Sequence, residues 1–129
     1  MPARLSLTAL LVRDYDEAIG FFVDRLGFTL DADTDQGGGK RWVVVTPGGG
    51  GAGLLLARPA DAAQAARIGD QGGGRVILFL ETSDFAGDHA RMLGAGIRFL
   101  EAPRQEPYGT VAVFEDLYGN RWDLIEPKT

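Results

Sequence analysis

An internal repeat, with a shift of about 69 residues, constrains this 129-residue chain more than any other feature. Trp42 to Val45 falls on Val111 to Phe114, Leu54 to Leu56 on Asp123 to Ile125, and Leu7 close to Arg75. Each half reads β-α-β-β-β. One helix can cover only one face of a small sheet, so each half keeps a second face open until another surface meets it. Two open faces imply a cleft.

Local signals place the elements. In the first half Arg4 to Val12 reads as a strand, and Asp14 reads as a helix N-cap with Glu17 three residues on. The helix runs over about Tyr15 to Leu26, and Gly27 stands where a left-handed C-terminal cap is needed. Phe28 to Ala32, Arg41 to Thr46 and Leu54 to Ala57 read as strands, divided by the glycine runs at Gly37 to Gly39 and Gly48 to Gly53. The segment 58–74 is a connector, in which Asp61 to Ile68 forms a short helix. Modules of about 3–57 and 75–127 flank it.

The second half opens with the strand Arg75 to Leu80. A helix over Phe85 to Leu93 follows, capped by Ser83 or Asp84, then a strand over Ile97 to Glu101. Ala102 to Pro107 reads as a loop whose Arg104 to Glu106 stretch suits a cavity rim. The chain closes on a hairpin, with turn chemistry at Asp116 to Asn120 and Gly119-Asn120 both tolerant of positive φ. Alternation after the turn sets Trp122 and Leu124 on one face, and Asp123 and Ile125 on the other. The first pair reads as core. A carboxylate beside Ile125 asks for another explanation.

Composition closes several chemistries. Without cysteine there is no disulfide framework, thiolate zinc site or cysteine nucleophile. A net charge of −5 argues against nucleic-acid binding, and no apolar run approaches the roughly 18 residues of a membrane span. The N-terminus lacks the small-residue cleavage site of a signal peptide, so a cytoplasmic location is expected. Acidic charge gathered at a cleft would attract a cationic ligand. Neither glycine run fits a phosphate loop, since no Lys-Ser or Lys-Thr and no helix follows.

The stretch Val12 to Phe28 (VRDYDEAIGFFVDRLGF), the EPYG turn Glu106 to Gly109, and Phe114 to Glu126 (FEDLYGNRWDLIE) resemble the glyoxalase, bleomycin-resistance and extradiol dioxygenase superfamily, the vicinal oxygen chelate proteins. The resemblance implies an α+β fold of two βαβββ modules forming an open, partly closed mixed barrel, usually dimeric, with a ligand cavity inside. Metal-dependent members hold a divalent ion through four side chains. Carried over by position, these become Leu7, Leu54, Arg75 and Asp123. Two leucines, an arginine and one aspartate do not form a metal site, so neither metal nor other cofactor is expected.

Several site readings follow. Asp123 and Arg75 form an ion pair that orients a polar ligand, or a carboxylate base held by a cation, or a pair that merely neutralises itself. Leu7, Leu54, Trp42, Tyr108 and Phe114 join them as candidate ligand-binding residues, the aromatics by stacking on flat or cationic groups. His89, the only histidine, reads as an ordinary helix residue. The leading expectation is a metal-free, dimeric binding protein for a small organic or cationic ligand. The alternatives are a lyase, isomerase or dioxygenase-type enzyme with Asp123 as base or an unconventional metal site, and a dimerising module with a vestigial cavity.

Overall fold

The computed structural model describes residues 1–129, and the chain falls into two compact units, Met1–Ile68 and Gly69–Thr129. Each unit carries a four-stranded mixed sheet and a covering helix. The first unit contains β1 (Leu7–Leu11), α1 (Tyr15–Ile19), β2 (Thr29–Asp35), β3 (Arg41–Thr46), β4 (Gly53–Ala57) and the four-residue α2 (Ala62–Ala65). Its strands lie in the order β1-β4-β3-β2, with β1 parallel to β4 and the other pairs antiparallel.

α1 starts where the sequence signal lies. The Asp14 carboxylate accepts a hydrogen bond from the Glu17 N–H at 2.8 Å, satisfying one of the helix's orphan donors. The expected single helix to Leu26 is instead α-helical only to Ile19, and Gly20–Arg25 continues as a π-helix. The Leu26 N–H reaches back five residues to the Phe21 carbonyl at 2.9 Å. The wider turn buries the adjacent Phe21 and Phe22 together, their rings edge-to-face at 5.1 Å, where a strict α-helical face would present only one. Gly27 closes the helix at φ 87°, in the left-handed region its position requires.

The second unit repeats the plan with β5 (Val76–Glu81), α3 (Phe85–Gly94), β6 (Arg104–Glu106), β7 (Gly109–Glu115) and β8 (Arg121–Pro127), in the order β5-β8-β7-β6. Asp84, rather than Ser83, caps α3 by accepting from the Gly87 N–H. The Glu126 carboxylate also takes the Phe85 N–H at 2.6 Å, so β8 pins the start of the helix that covers it.

The strand expected over Ile97 to Glu101 is reduced to one bridge, Phe99 to Phe114. Leu100 N–H still bonds the Val113 carbonyl at 2.9 Å, but at the next position the Glu101 carboxylate accepts the Val113 N–H at 3.0 Å. A side chain thus takes over a ladder bond, and the backbone departs. Regular pairing resumes at Arg104, where a loop was expected.

Each core lies between helix and sheet. Leu10, Val43, Val45 and Leu56 share the helix-facing side of the first sheet and are at most 1% exposed. Ala112, Phe114, Trp122 and Leu124 form the corresponding layer of the second, with Phe85 and Met92 of α3 buried as well. Phe114 stacks on Trp122 with ring centroids 5.6 Å apart.

The β7–β8 corner has its own hydrogen-bonded centre. Asp116 is buried, and its Oδ1 accepts from the N–H groups of Tyr118 (3.0 Å) and Asn120 (3.1 Å). Its Oδ2 accepts from Asn120 Nδ2 (3.1 Å) and Trp122 Nε1 (3.0 Å). Gly119 supplies positive φ at 98°, but Asn120 does not share it as expected. Asn120 is there for its buried amide.

Candidate functional site

The helix-free face of each sheet holds a few buried residues, Val44 in the first unit and Val111 in the second, together with partly exposed side chains. In the first unit, register places Leu7, Ala9 and Leu11 of β1 beside Gly53, Leu55 and Ala57 of β4, with Val44 opposite Leu55. Trp42 continues this face along β3 and is 39% exposed, unusual for so large an apolar ring. A cleft of about 510 Å³ opens where β3 begins and β4 ends, lined by Trp42, Leu55, Ala57, Arg58, Tyr15 and the Gly38–Gly39 turn among others.

Arg41 fixes one wall of that cleft. Its guanidinium bonds Asp33 through Nε (3.0 Å) and Nη2 (2.7 Å), reaches Asp16 at 2.9 Å, and lies 5.1 Å from the centre of the Tyr15 ring. Hydrogen bonds to Asp33, then to Asp16, hold its pKa above the ordinary arginine value, and the bond from Arg41 draws the Asp33 carboxyl below its own. Tyr15 completes the anchor by accepting the Arg41 backbone N–H at 3.2 Å.

In the second unit the helix-free face is built around Asp123. Its register neighbours are Val113 on β7 and Phe79 on β5, and Ile125 follows on the same face. Phe79 is 66% exposed. Asp123 is half-buried, and its Oδ1 lies out of solvent with no hydrogen-bond partner. Burial pushes the carboxyl above the usual aspartate range; Arg104 pulls it back and Glu101 pushes it further up.

Arg104 is committed elsewhere. Its Nε bonds both Glu101 oxygens at 2.9 and 3.0 Å, and Nη1 bonds Glu106 Oε1 at 2.7 Å. Tyr108, 52% exposed in the turn between β6 and β7, adds to Glu101 and Glu106 in holding the Arg104 pKa above the ordinary arginine value.

The residues singled out in the sequence therefore separate. Arg75 is exposed in a turn before β5 begins, its N–H bonded to the Gly72 carbonyl. The β5 residue facing Asp123 is Phe79, so the expected Arg75–Asp123 pair is not formed, and Arg104 is the cation that acts on Asp123. Phe114 faces the core, wholly buried against Trp122 and Phe99.

Leu54 also faces the core, 5% exposed, because the repeat is offset by one residue in this strand. Leu54 and Leu56 occupy the helix side as Trp122 and Leu124 do, which makes Leu55 the counterpart of Asp123. Leu7 and Leu54 consequently point to opposite faces. Trp42 and Asp123 remain on helix-free faces, and Tyr108 stays at the Arg104 rim. Phe79 was missed, although a phenylalanine at the alternating position of VILFLE was a legible signal.

The donor set does not fit the divalent ion of metal-dependent glyoxalase-like proteins. No three His, Cys, Asp or Glu side chains gather to hold a metal, and Asp123 is flanked by Val113 and Phe79 rather than by ligands.

A pair of βαβββ units, each with a helix-free sheet face and the Asp116–Asn120 corner in the second, defines a glyoxalase-like protein. Residues 4–124 match the Glyoxalase/Bleomycin resistance protein/Dioxygenase superfamily, and the chain belongs to it. An uncharacterized protein of Shewanella frigidimarina (strain NCIMB 400) is 57% identical over 120 residues, 92% of this chain and 89% of that one. Among solved structures, UcmS2 is similar at TM-score 0.82 and 30% identity, over 97% of this chain and 98% of its own. TnmS3, an antibiotic binding protein from Streptomyces sp. CB03234, is similar at TM-score 0.79 and 30% identity, over 98% and 97%.

Proposed function

We propose that this chain is a metal-free binding protein for a small organic molecule, held against a helix-free sheet face. The observation that carries the reading is Trp42, a large ring left exposed on an apolar sheet face beside a cleft of about 510 Å³. That volume lies within the roughly 300–1,000 Å³ of small-molecule sites. A flat ligand stacked on Trp42 would bury apolar surface on both partners, with Arg58 and the Gly38–Gly39 turn at its edge. The likeness to an antibiotic binding protein over nearly the full length favours the same class of ligand.

The test is a thermal-shift screen of flat polycyclic and heteroaromatic compounds, followed by titration of Trp42 emission. A true ligand at 100 times its Kd stabilises by about 2.7 kcal/mol, and Trp42→Ala abolishes both signals. Hits that bind Trp42→Ala as tightly as the unaltered protein would refute the reading.

A second reading makes Asp123 a catalytic base, favoured by its raised pKa and unpaired Oδ1. It requires turnover that disappears in Asp123→Asn. The protein is further proposed to be a cytoplasmic homodimer, with the exposed Leu5 as apolar surface suited to an interface. Light scattering that finds only monomer at micromolar concentration rejects the dimer.

A further inference from the structure

We propose that Asp123 is the polar anchor for a ligand bearing a hydrogen-bond donor, an ammonium group above all, presented to the helix-free face of the second sheet. The inference rests on the small-molecule reading and names the chemical class it selects.

Native proteins rarely leave a buried carboxylate oxygen without a partner, because desolvation without compensation is costly. Asp123 Oδ1 is such an oxygen. Its in-register neighbours, Val113 and Phe79, and Ile125 beside it offer no donor. The one cation acting on it, Arg104, already serves the carboxylates of Glu101 and Glu106. Farther along the face Glu81 stands in register with Ile125, and Glu115, which pairs with Arg98 at 3.7 Å, stands in register with Arg121.

Arg104 thus serves three carboxylates, Glu101, Glu106 and Asp123, with a single guanidinium. A ligand cation would complete the set. The residue as a whole is only half-buried, and the exposed Phe79 ring beside it offers a face for the apolar part of an amine. An anion would meet an excess of negative charge, and a neutral molecule without a donor would leave the carboxylate unpaired.

Three indoles with one ring system and different charge test this: tryptamine, N-acetyltryptamine and indole-3-acetate. The readouts are Kd by calorimetry, the ¹³C signal of the Asp123 carboxyl, and the Trp42 indole N–H signal. Tryptamine is expected to bind about tenfold or more tighter than N-acetyltryptamine, with indole-3-acetate weakest. It should also lower the titration midpoint of Asp123. Asp123→Asn, checked for folding by its amide spectrum, should reduce the tryptamine preference to about twofold or less.

Equal affinities, a preference that survives in Asp123→Asn, or an Asp123 carboxyl signal that no indole moves would each overturn the inference. Movement of the Trp42 signal with Asp123 silent would leave the binding reading standing and remove only the anchor.

Discussion

Asp116 Oδ2 accepts the Trp122 indole N–H at 3.0 Å across the corner that joins β7 to β8. The carboxylate accepts at both oxygens, from Asn120 and Trp122 donors that are buried, and burial pushes its pKa up while these hydrogen bonds pull it down. Asp116→Asn places an amide NH₂ against those donors. It is expected to cost about 1–3 kcal/mol, measured by urea unfolding.

The two tryptophans should behave oppositely. Trp122→Ala removes a buried ring that stacks on Phe114 and supplies the indole donor, and is expected to cost about 3–5 kcal/mol. Trp42→Ala removes a partly exposed ring and should lie within about 1 kcal/mol of the unaltered protein while losing ligand. Denaturation midpoints beside ligand titrations separate the two.

Asp123 should make stability depend on pH in a particular direction. Its folded pKa is raised by burial, so the fold binds this proton more readily than the unfolded chain does. The favourable contribution is complete below the unfolded value of about 3.9 and is lost as pH climbs through the folded value. Asp123→Asn is therefore expected to be more stable than the parent at neutral pH and to lose that advantage as pH falls below about 4. A gain in stability on removing a residue needed for binding is a common signature of a functional site.

Arg104→Met removes the positive charge that draws the Asp123 pKa down. The Asp123 midpoint should rise by NMR titration, and salt should blunt the difference. The direct stability cost should be small, since the guanidinium is partly exposed and its ion pairs are screened.

Gly69→Ala and Gly49→Ala form a matched pair. A methyl at Gly69 would lie 2.0 Å from the Tyr118 carbonyl oxygen, on a backbone already at φ +78°, and neither backbone segment can yield cheaply. Severe destabilisation is expected. Gly49 has open space and no positive φ, so its substitution should be neutral or stabilise by about 0.4–1 kcal/mol through the unfolded chain.

The repeat, caps and strand alternation were legible because each is written locally. Asp14 and Glu17, Gly27, and the Trp122/Leu124 alternation all appear where short-range chemistry puts them. Three features were not. The π-helix depends on burying Phe21 and Phe22 together, and the lost strand at 97–101 depends on a Glu101 side chain competing for a ladder bond. The offset between Leu54 and Asp123 depends on strand register, and a one-residue slip exchanges the faces of a whole strand. That slip, rather than any misjudged chemistry, brought Leu54 into the candidate site. Arg75 failed differently, since it lies outside β5 and facing positions are fixed only within a ladder.

The glycine turns of the first unit have a practical corollary. A methyl at Gly37, Gly38 or Gly39 would touch nothing within 4 Å, and the last two border the cleft beside Trp42. The scaffold has no packing stake in this lip, and what holds the three glycines is their positive φ of 85°, 64° and 82°, so a direct replacement strains the backbone where a longer loop need not. Residues added there would change what the cleft admits without disturbing the sheet, making the segment a natural point of divergence among descendants and a place to insert randomised loops when retargeting the protein.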